Sequence, residues 1–239
     1  MLKRLLIALA AAIGIAATVA LGAWQWGRAQ QKLALEAAIQ QRQALAAIGP
    51  AELLAAQADP APWLHRTVEL RGQWLPEHTV YLDNRQMHGK PGFYVLTPLR
   101  LDGNARVVLV QRGWVQRDFQ RRDRLPPVQT PAGPVQVRGR LAPPPAKLYA
   151  FQAEETGPIR QNLDLSTYRA ETGLPLLQLS VQQTGAASEG LLREWPQPAS
   201  GADKNYGYAF QWWALAVLIA ILYAWFQFLL PRRRQARGL

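Results

Sequence analysis

Leu5 to Gly27, LLIALAAAIGIAATVALGAWQWG, is 23 residues without a charge, and Asn205 to Pro231, NYGYAFQWWALAVLIAILYAWFQFLLP, is a second uncharged run of 27. About 20 apolar residues cross a hydrocarbon core, so each run is long enough for a transmembrane helix. Lys3 and Arg4 precede the first run; Arg232, Arg233, Arg234 and Arg237 follow the second. Short basic flanks stay on the cytoplasmic side. The charges therefore predict a cytoplasmic N-terminus (1–4), a first span (5–27) and an extracytoplasmic domain (28–204). A second span (205–231) and a cytoplasmic basic tail (232–239) follow. A cleaved signal peptide, cut after Ala20 or Ala23, is the alternative for the first run. Its length and its closing Trp24 and Trp26, rings that anchor a span at the interface, favour a retained helix.

The whole chain of 239 residues carries 27 basic and 16 acidic side chains, a net charge of +11. Part of that surplus is the flanking charge that sets topology, so it does not argue for nucleic acid as a partner. With no cysteine, the chain has no disulfide, thiolate metal site or cysteine nucleophile. The three histidines, His65, His78 and His88, lack the i, i+4 spacing of a helical zinc site. No serine lies in a Gly-x-Ser-x-Gly elbow, and no glycine-rich phosphate loop occurs. The expectation is a protein that is not an enzyme, with no catalytic or metal site.

Between the two runs the pattern changes. Leu33, Leu35, Ala38, Ile39, Leu45 and Ile48 continue a helix out of the first run until Gly49-Pro50, and a short helix follows through Leu53 and Leu54. From Arg66 the period becomes two: 67–71, 79–83, 135–138 and 177–181 alternate, while 93–96 and 107–110 are denser apolar runs that suit central strands. Asp102-Gly103-Asn104 is a hairpin signal between those two. A helix is expected over 167–171, and Trp195 to Asp203 reads as a linker. Val68-Glu-Leu-Arg-Gly72 is echoed by Val135-Gln-Val-Arg-Gly139, either as a duplicated half-domain or as two similar strand ends. The fold class is a membrane protein with two transmembrane α-helices flanking a mainly antiparallel β domain, barrel- or sandwich-like, outside the cytoplasm.

Tyr206, Tyr208, Phe210, Trp212 and Trp213 crowd the start of the second run and mirror Trp24 and Trp26. They form either an aromatic belt at the water interface or the walls of a site for a planar apolar cofactor. Arg28, Lys32 and Lys204 lie beside them, suited to carboxylates or lipid phosphates.

Trp24-Gln25 with Arg28 and Lys32, Val68-Glu-Leu-Arg-Gly-Gln-Trp74, Tyr81-Leu-Asp-Asn-Arg85 and Pro91-Gly-Phe-Tyr-Val-Leu-Thr-Pro98 form one ordered set of motifs. Val110-Gln-Arg-Gly-Trp-Val115, Val137-Arg-Gly-Arg-Leu141 and Tyr208-Ala-Phe-Gln-Trp212 complete it. In order and content the set resembles the surfeit locus protein 1 family, of bacterial type. The resemblance implies an assembly factor, or chaperone, for cytochrome c oxidase in the bacterial cell inner membrane, assisting haem a insertion or maturation of the large catalytic subunit in respiratory chain biogenesis. It implies as partners the oxidase large catalytic subunit, other assembly factors and membrane lipids. It also implies transient contact with haem a, for which Trp24, Arg28, Tyr206, Tyr208 and Trp212 are the candidate pocket. Arg85, Arg112 and Trp114 become candidate partner-binding residues. In the family a histidine stands three residues before the tyrosine of the second-span motif; this chain has Asn205 there. A haem-independent scaffold that binds oxidase subunits is the alternative.

Overall fold

The computed structural model describes residues 1–103, 105–118, 120, 125–148, 157–196 and 201–230. They fall into two compact units, one of residues 38–196 and one built from both ends of the chain, residues 1–37 and 197–239.

The terminal unit holds helix α1, Leu2–Ala44, as far as residue 37, and helix α4, Ala202–Ala224, the latter extended by a π-helical turn, Trp225–Leu229. Each contains a stretch long and apolar enough to cross a membrane, with mean hydropathy 2.4 and 1.9. Only 11% and 6% of those stretches are buried, so neither is the core helix of a soluble domain. This is a membrane protein, and its apolar surface is exposed where lipid would cover it. Helix α1 carries the first uncharged run and the polar-faced helix after it without a break, past the expected span end at Gly27.

The middle unit is a β barrel. Its elements are α2 (Pro50–Ala55), β1 (Thr67–Trp74), β2 (Val80–Met87), β3 (Lys90–Leu101), β4 (Val107–Gln116), β5 (Pro134–Ala142), β6 (Ile159–Arg160), α3 (Leu165–Thr172) and β7 (Leu176–Gln183). The strands run in the order β1-β5-β7-β4-β3-β2-β6, and β1 pairs again with β3. That second pairing closes β1, β5, β7, β4 and β3 into a ring of five, with β2 and β6 continuing outward from β3. Only β4–β7 and β2–β6 are parallel. The expectation of a mainly antiparallel domain holds, in its barrel form.

Side-chain alternation explains the core. Val68, Leu70 and Trp74, Leu99 and Leu101, Val108 and Val110, Val137 and Leu141, and Leu177, Leu179 and Val181 meet in one cluster, joined by Ile48, Leu53 and Ala56. Every ring strand thus sends alternate residues inward, and α2 adds Leu53. The other face of β2–β4 is covered by α3: Val80, Leu82, Leu96, Val107 and Leu109 pack on Leu165 and Tyr168. Strand β4 is therefore buried on both faces, which is why Val107 to Val110 read as a continuous apolar run. Asp164 caps α3, its carboxylate accepting from Ser166 N and Thr167 N, and Gly173 ends it at φ 68.

The two echoed segments turn out to be partners. Val68 lies opposite Gly139, Leu70 opposite Val137 and Gly72 opposite Val135. Their glycines serve close approach rather than a bulge. A Cβ on Gly72 would strike the Arg100 carbonyl where β3 closes the ring, and one on Gly139 would meet Gln182 O and Val181.

Other expectations shift. Strand β2 runs on to Met87 and turns into β3 through His88 (φ 51) and Gly89 (φ 72), the two positive φ values of a type I′ turn. Strands β3 and β4 form the expected hairpin, though Asn104 lies outside the described residues. Trp195 is no linker residue: it is buried, its indole N–H donates to Gln183 O, and its ring meets Tyr94.

Candidate functional site

The candidate haem residues all lie in the terminal unit, where α1 and α4 pack along small residues. Gly14, Thr18 and Gly22 recur every fourth position on α1, and Ala202, Ala209 and Ala216 every seventh on α4. Thr18, Ala29 and all three of those alanines are buried. Such small residues let two helices approach closely in lipid. At Gly22 the contact is so close that a Cβ would overlap the Trp213 indole.

Above this seam the polar groups are paired with each other. Asn205 Nδ2 donates to Gln25 Oε1 at 2.6 Å, and Gln30 Nε2 donates to the Tyr206 hydroxyl at 3.0 Å. Lys32 Nζ donates to Gly201 O at 3.3 Å. The Trp26 ring stands edge-on to Tyr206 (4.8 Å between centroids) and tilted to Trp213 (5.9 Å). The aromatic contacts that join the helices thus run through Trp26, Tyr206 and Trp213. Of the predicted set, Tyr206 sits in this seam and Trp212 is half-buried, while Trp24 (58% exposed) and Tyr208 (53%) project outward. Arg28 is exposed and donates to Gln31 on its own helix. The structure does not bring these five into one pocket.

These residues do not fit a ligated haem. Haem iron takes His, Met, Cys or Tyr as axial ligand. All three histidines lie in the barrel unit, and Asn205, at the family's histidine position, already spends its amide on Gln25. The Tyr206 hydroxyl is likewise engaged. A cavity between the helices lies elsewhere: about 540 Å³, mostly apolar, lined by Ile7, Ala10, Ala11, Ile219, Tyr223 and Phe226 among others. At 1.5 Å per residue, Ile7 lies some 20 Å or more along α1 from Trp24.

The arginine motifs resolve differently. In the β3–β4 register Val95 faces Gly113 and Leu96 faces Gln111, so Arg112 is the extra residue of a β-bulge. Its side chain is 0% exposed. Nη1 donates to Thr130 Oγ1 (2.7 Å), and Nη2 to Gln129 O (2.7 Å) and Glu189 Oε2 (2.9 Å); the guanidinium lies 4.7 Å from the Trp74 ring centre. Arg193 donates to the same Glu189 oxygen and to Arg112 O.

Arg85 follows a second bulge, at Asp83-Asn84, where Asn84 has φ 57. It is 6% exposed and donates to Ala146 O and Gln161 O, each at 2.9 Å. Burial lowers its pKa and raises that of Tyr94, whose ring it covers. Trp114 is 3% exposed and donates its indole N–H to Arg85 O. A Cβ on Gly92 would overlap the Trp114 ring, which accounts for the glycine of the Pro91-Gly92 motif. Arg85, Arg112 and Trp114 are the residues expected at a partner interface. All three are buried, and the polar groups named above bond within the barrel.

Sequence reasoning missed Gln25, Gln30, Trp26 and Trp213 as the residues that join the helices. The seven-residue alanine spacing and the glycine spacing carried that signal.

A pair of lipid-exposed helices and a closed five-stranded barrel with arginine-pinned bulges define a class of two-span membrane proteins. This chain belongs to the SURF1 family, whose pattern matches residues 12–217 and so takes in the barrel and most of both apolar helices. It is also similar to the cytochrome oxidase assembly protein SHY1 of Saccharomyces cerevisiae, 30% identical over 56 residues. That stretch covers 23% of this chain and only 14% of the yeast protein.

Proposed function

We propose that this chain assists the assembly of cytochrome c oxidase as a non-enzymatic chaperone of the bacterial inner membrane, acting as the large catalytic subunit matures. The observation that carries the reading is the family match, which runs through barrel and helices alike. The yeast relative, a cytochrome oxidase assembly protein, points to the oxidase. Exposed Trp24 and Tyr208 and the outward Arg28 are the groups offered to the maturing subunit and to other assembly factors. The Asn205–Gln25 bond favours a version in which any contact with haem a is transient and this chain supplies no axial ligand.

Deleting the gene should lower the haem a absorbance and oxidase activity of membranes, and Asn205→Ala should restore both. Normal oxidase in the deletion strain would sink the assembly reading. The detergent-purified protein from haem-a-producing cells should show no sharp axial-ligand spectrum, whereas Asn205→His should acquire one. A sharp spectrum in the parent protein would overturn the ligand-free version alone. Orientation is part of the proposal. A reporter active only outside the cytoplasm should give signal when fused after Ser200 and none after Leu239; the reverse would refute the topology.

A further inference from the structure

Four basic residues come together where the last turns of α1 meet the barrel. Arg42 Nη1 donates to Leu64 O (3.4 Å), His65 N donates to Leu141 O (2.8 Å) and Leu141 N donates to Arg66 O (2.9 Å). Thr67 lies directly opposite Arg140 in the β1–β5 ladder. These bonds draw Arg42, His65, Arg66 and Arg140 around one strand end, all half-buried. Their side-chain hydrogen bonds go to neutral acceptors: Leu64 O, Ala46 O from Arg66 Nη2 (2.7 Å) and Gln182 Oε1 from Arg140 Nε (2.7 Å). None of the ion pairs among the described residues includes any of the four.

Like charges gathered in partial burial repel, and neutral acceptors leave that charge uncompensated. The site also holds two unspent buried donors or acceptors. His65 is fixed at φ 71, and its Nδ1 is buried without a hydrogen-bond partner, as is Arg66 Nε. Burial, then Arg140, then Arg42 lower the imidazole's pKa, as expected of a cationic pocket that lacks its counter-charge.

We propose that Arg42, His65 and Arg140 form a binding site for a phosphate-type oxyanion, either free phosphate or an anionic lipid headgroup. Two guanidiniums and an imidazole supply donors from α1, from the segment before β1 and from β5. That suits an anion with three or more acceptor oxygens. The site belongs to the barrel unit and does not depend on the oxidase reading.

The test is the titration of His65, followed by NMR on full-length protein with isotope-labelled histidine. Only His65, His78 and His88 contribute signals, and His65→Gly, which tolerates the positive φ, assigns the resonance. At matched ionic strength, replacing chloride by inorganic phosphate should raise the His65 midpoint by about one unit, the effect of an opposite charge within hydrogen-bonding range. Arg140→Gln should abolish the rise; if that variant does not fold, Arg42→Gln should reduce it. A rise in phosphate-free discs of phosphatidylglycerol, absent in phosphatidylcholine discs, would identify the headgroup. A rise with free phosphate alone would identify the soluble anion. A midpoint identical in chloride, in phosphate and in both discs would overturn the proposal, as would a full rise that survives both substitutions.

Discussion

Replacing Arg112 by alanine tests whether the motif arginine is a structural rivet of the barrel. The substitution removes a fully buried guanidinium and strands three acceptors: Thr130 Oγ1, Gln129 O and one oxygen of Glu189. Breaking a buried pair by deleting one partner costs about 3–5 kcal/mol. The lower end applies, because Arg193 still reaches the Glu189 oxygen at 3.3 Å. The void over the Trp74 ring adds to the loss. For a domain of this size each kcal/mol moves the melting temperature by about 2–4 °C. A loss of some 3 kcal/mol therefore lowers Tm by about 6–12 °C. Thermal melts of the full-length protein in detergent, followed by circular dichroism of the β signal, read this directly. Arg112→Lys should fall between parent and alanine variant, since an ammonium cannot reproduce the guanidinium fork. Oxidase assembly should fail in proportion to the loss of folded barrel. A barrel as stable as the parent's, with assembly lost, would refute the reasoning and return Arg112 to a partner-binding role.

Gly72→Ala should cost about 1–3 kcal/mol, because its Cβ meets the Arg100 carbonyl at the closure of β1 on β3; an unchanged Tm would argue that the ring does not close there. Gly22→Leu should force the Trp213 indole out of the seam and lower the amount of intact protein in membranes, whereas a normal level with unshifted tryptophan fluorescence would contradict the helix pairing. Asp164→Ala should cost about 1 kcal/mol at neutral pH by removing the α3 cap. Hydrogen bonds from Ser166, Thr167 and Lys147 hold the folded Asp164 carboxyl far below the ordinary value near 4. Its contribution is thus complete above about pH 4 and lost as the pH falls toward the folded value. The difference between parent and variant should shrink over that acid range, and a constant difference in stability melts would remove Asp164 as the titrating cap.

The parts of the fold legible in the sequence were those set by local pattern. Two uncharged runs announced the helices, and period-two alternation placed β1, β5 and β7 within a few residues. The β2–β3 turn escaped notice because His88-Gly89 reaches two positive φ values without the usual asparagine. Strand β6, two residues long, exists only through its pairing with Tyr81 and Leu82. The site was less legible for a related reason. Whether Arg85 and Arg112 face outward or inward depends on bulges, which are a property of two strands in register and not of either alone. The resemblance marked the arginines, Gln25 and Asn205 but not their pairing, since Gln25 and Asn205 lie 180 residues apart.

Closure of the ring sets an order on the birth of the barrel. Strands β2, β3 and β4 are sequence neighbours and can pair as soon as they are made, and β1 can meet β3, but its other edge must wait for β5, Thr67 facing Arg140. Strand β4 gains its second neighbour later still, when Val110 meets Val181. Until β7 is synthesised, β4 and β5 each keep an open edge, the kind of surface on which chains add to one another. Contacts so distant in sequence also make closure slow. The window of risk is thus written into the strand order, and it shuts only when β7, Leu176–Gln183, has been made.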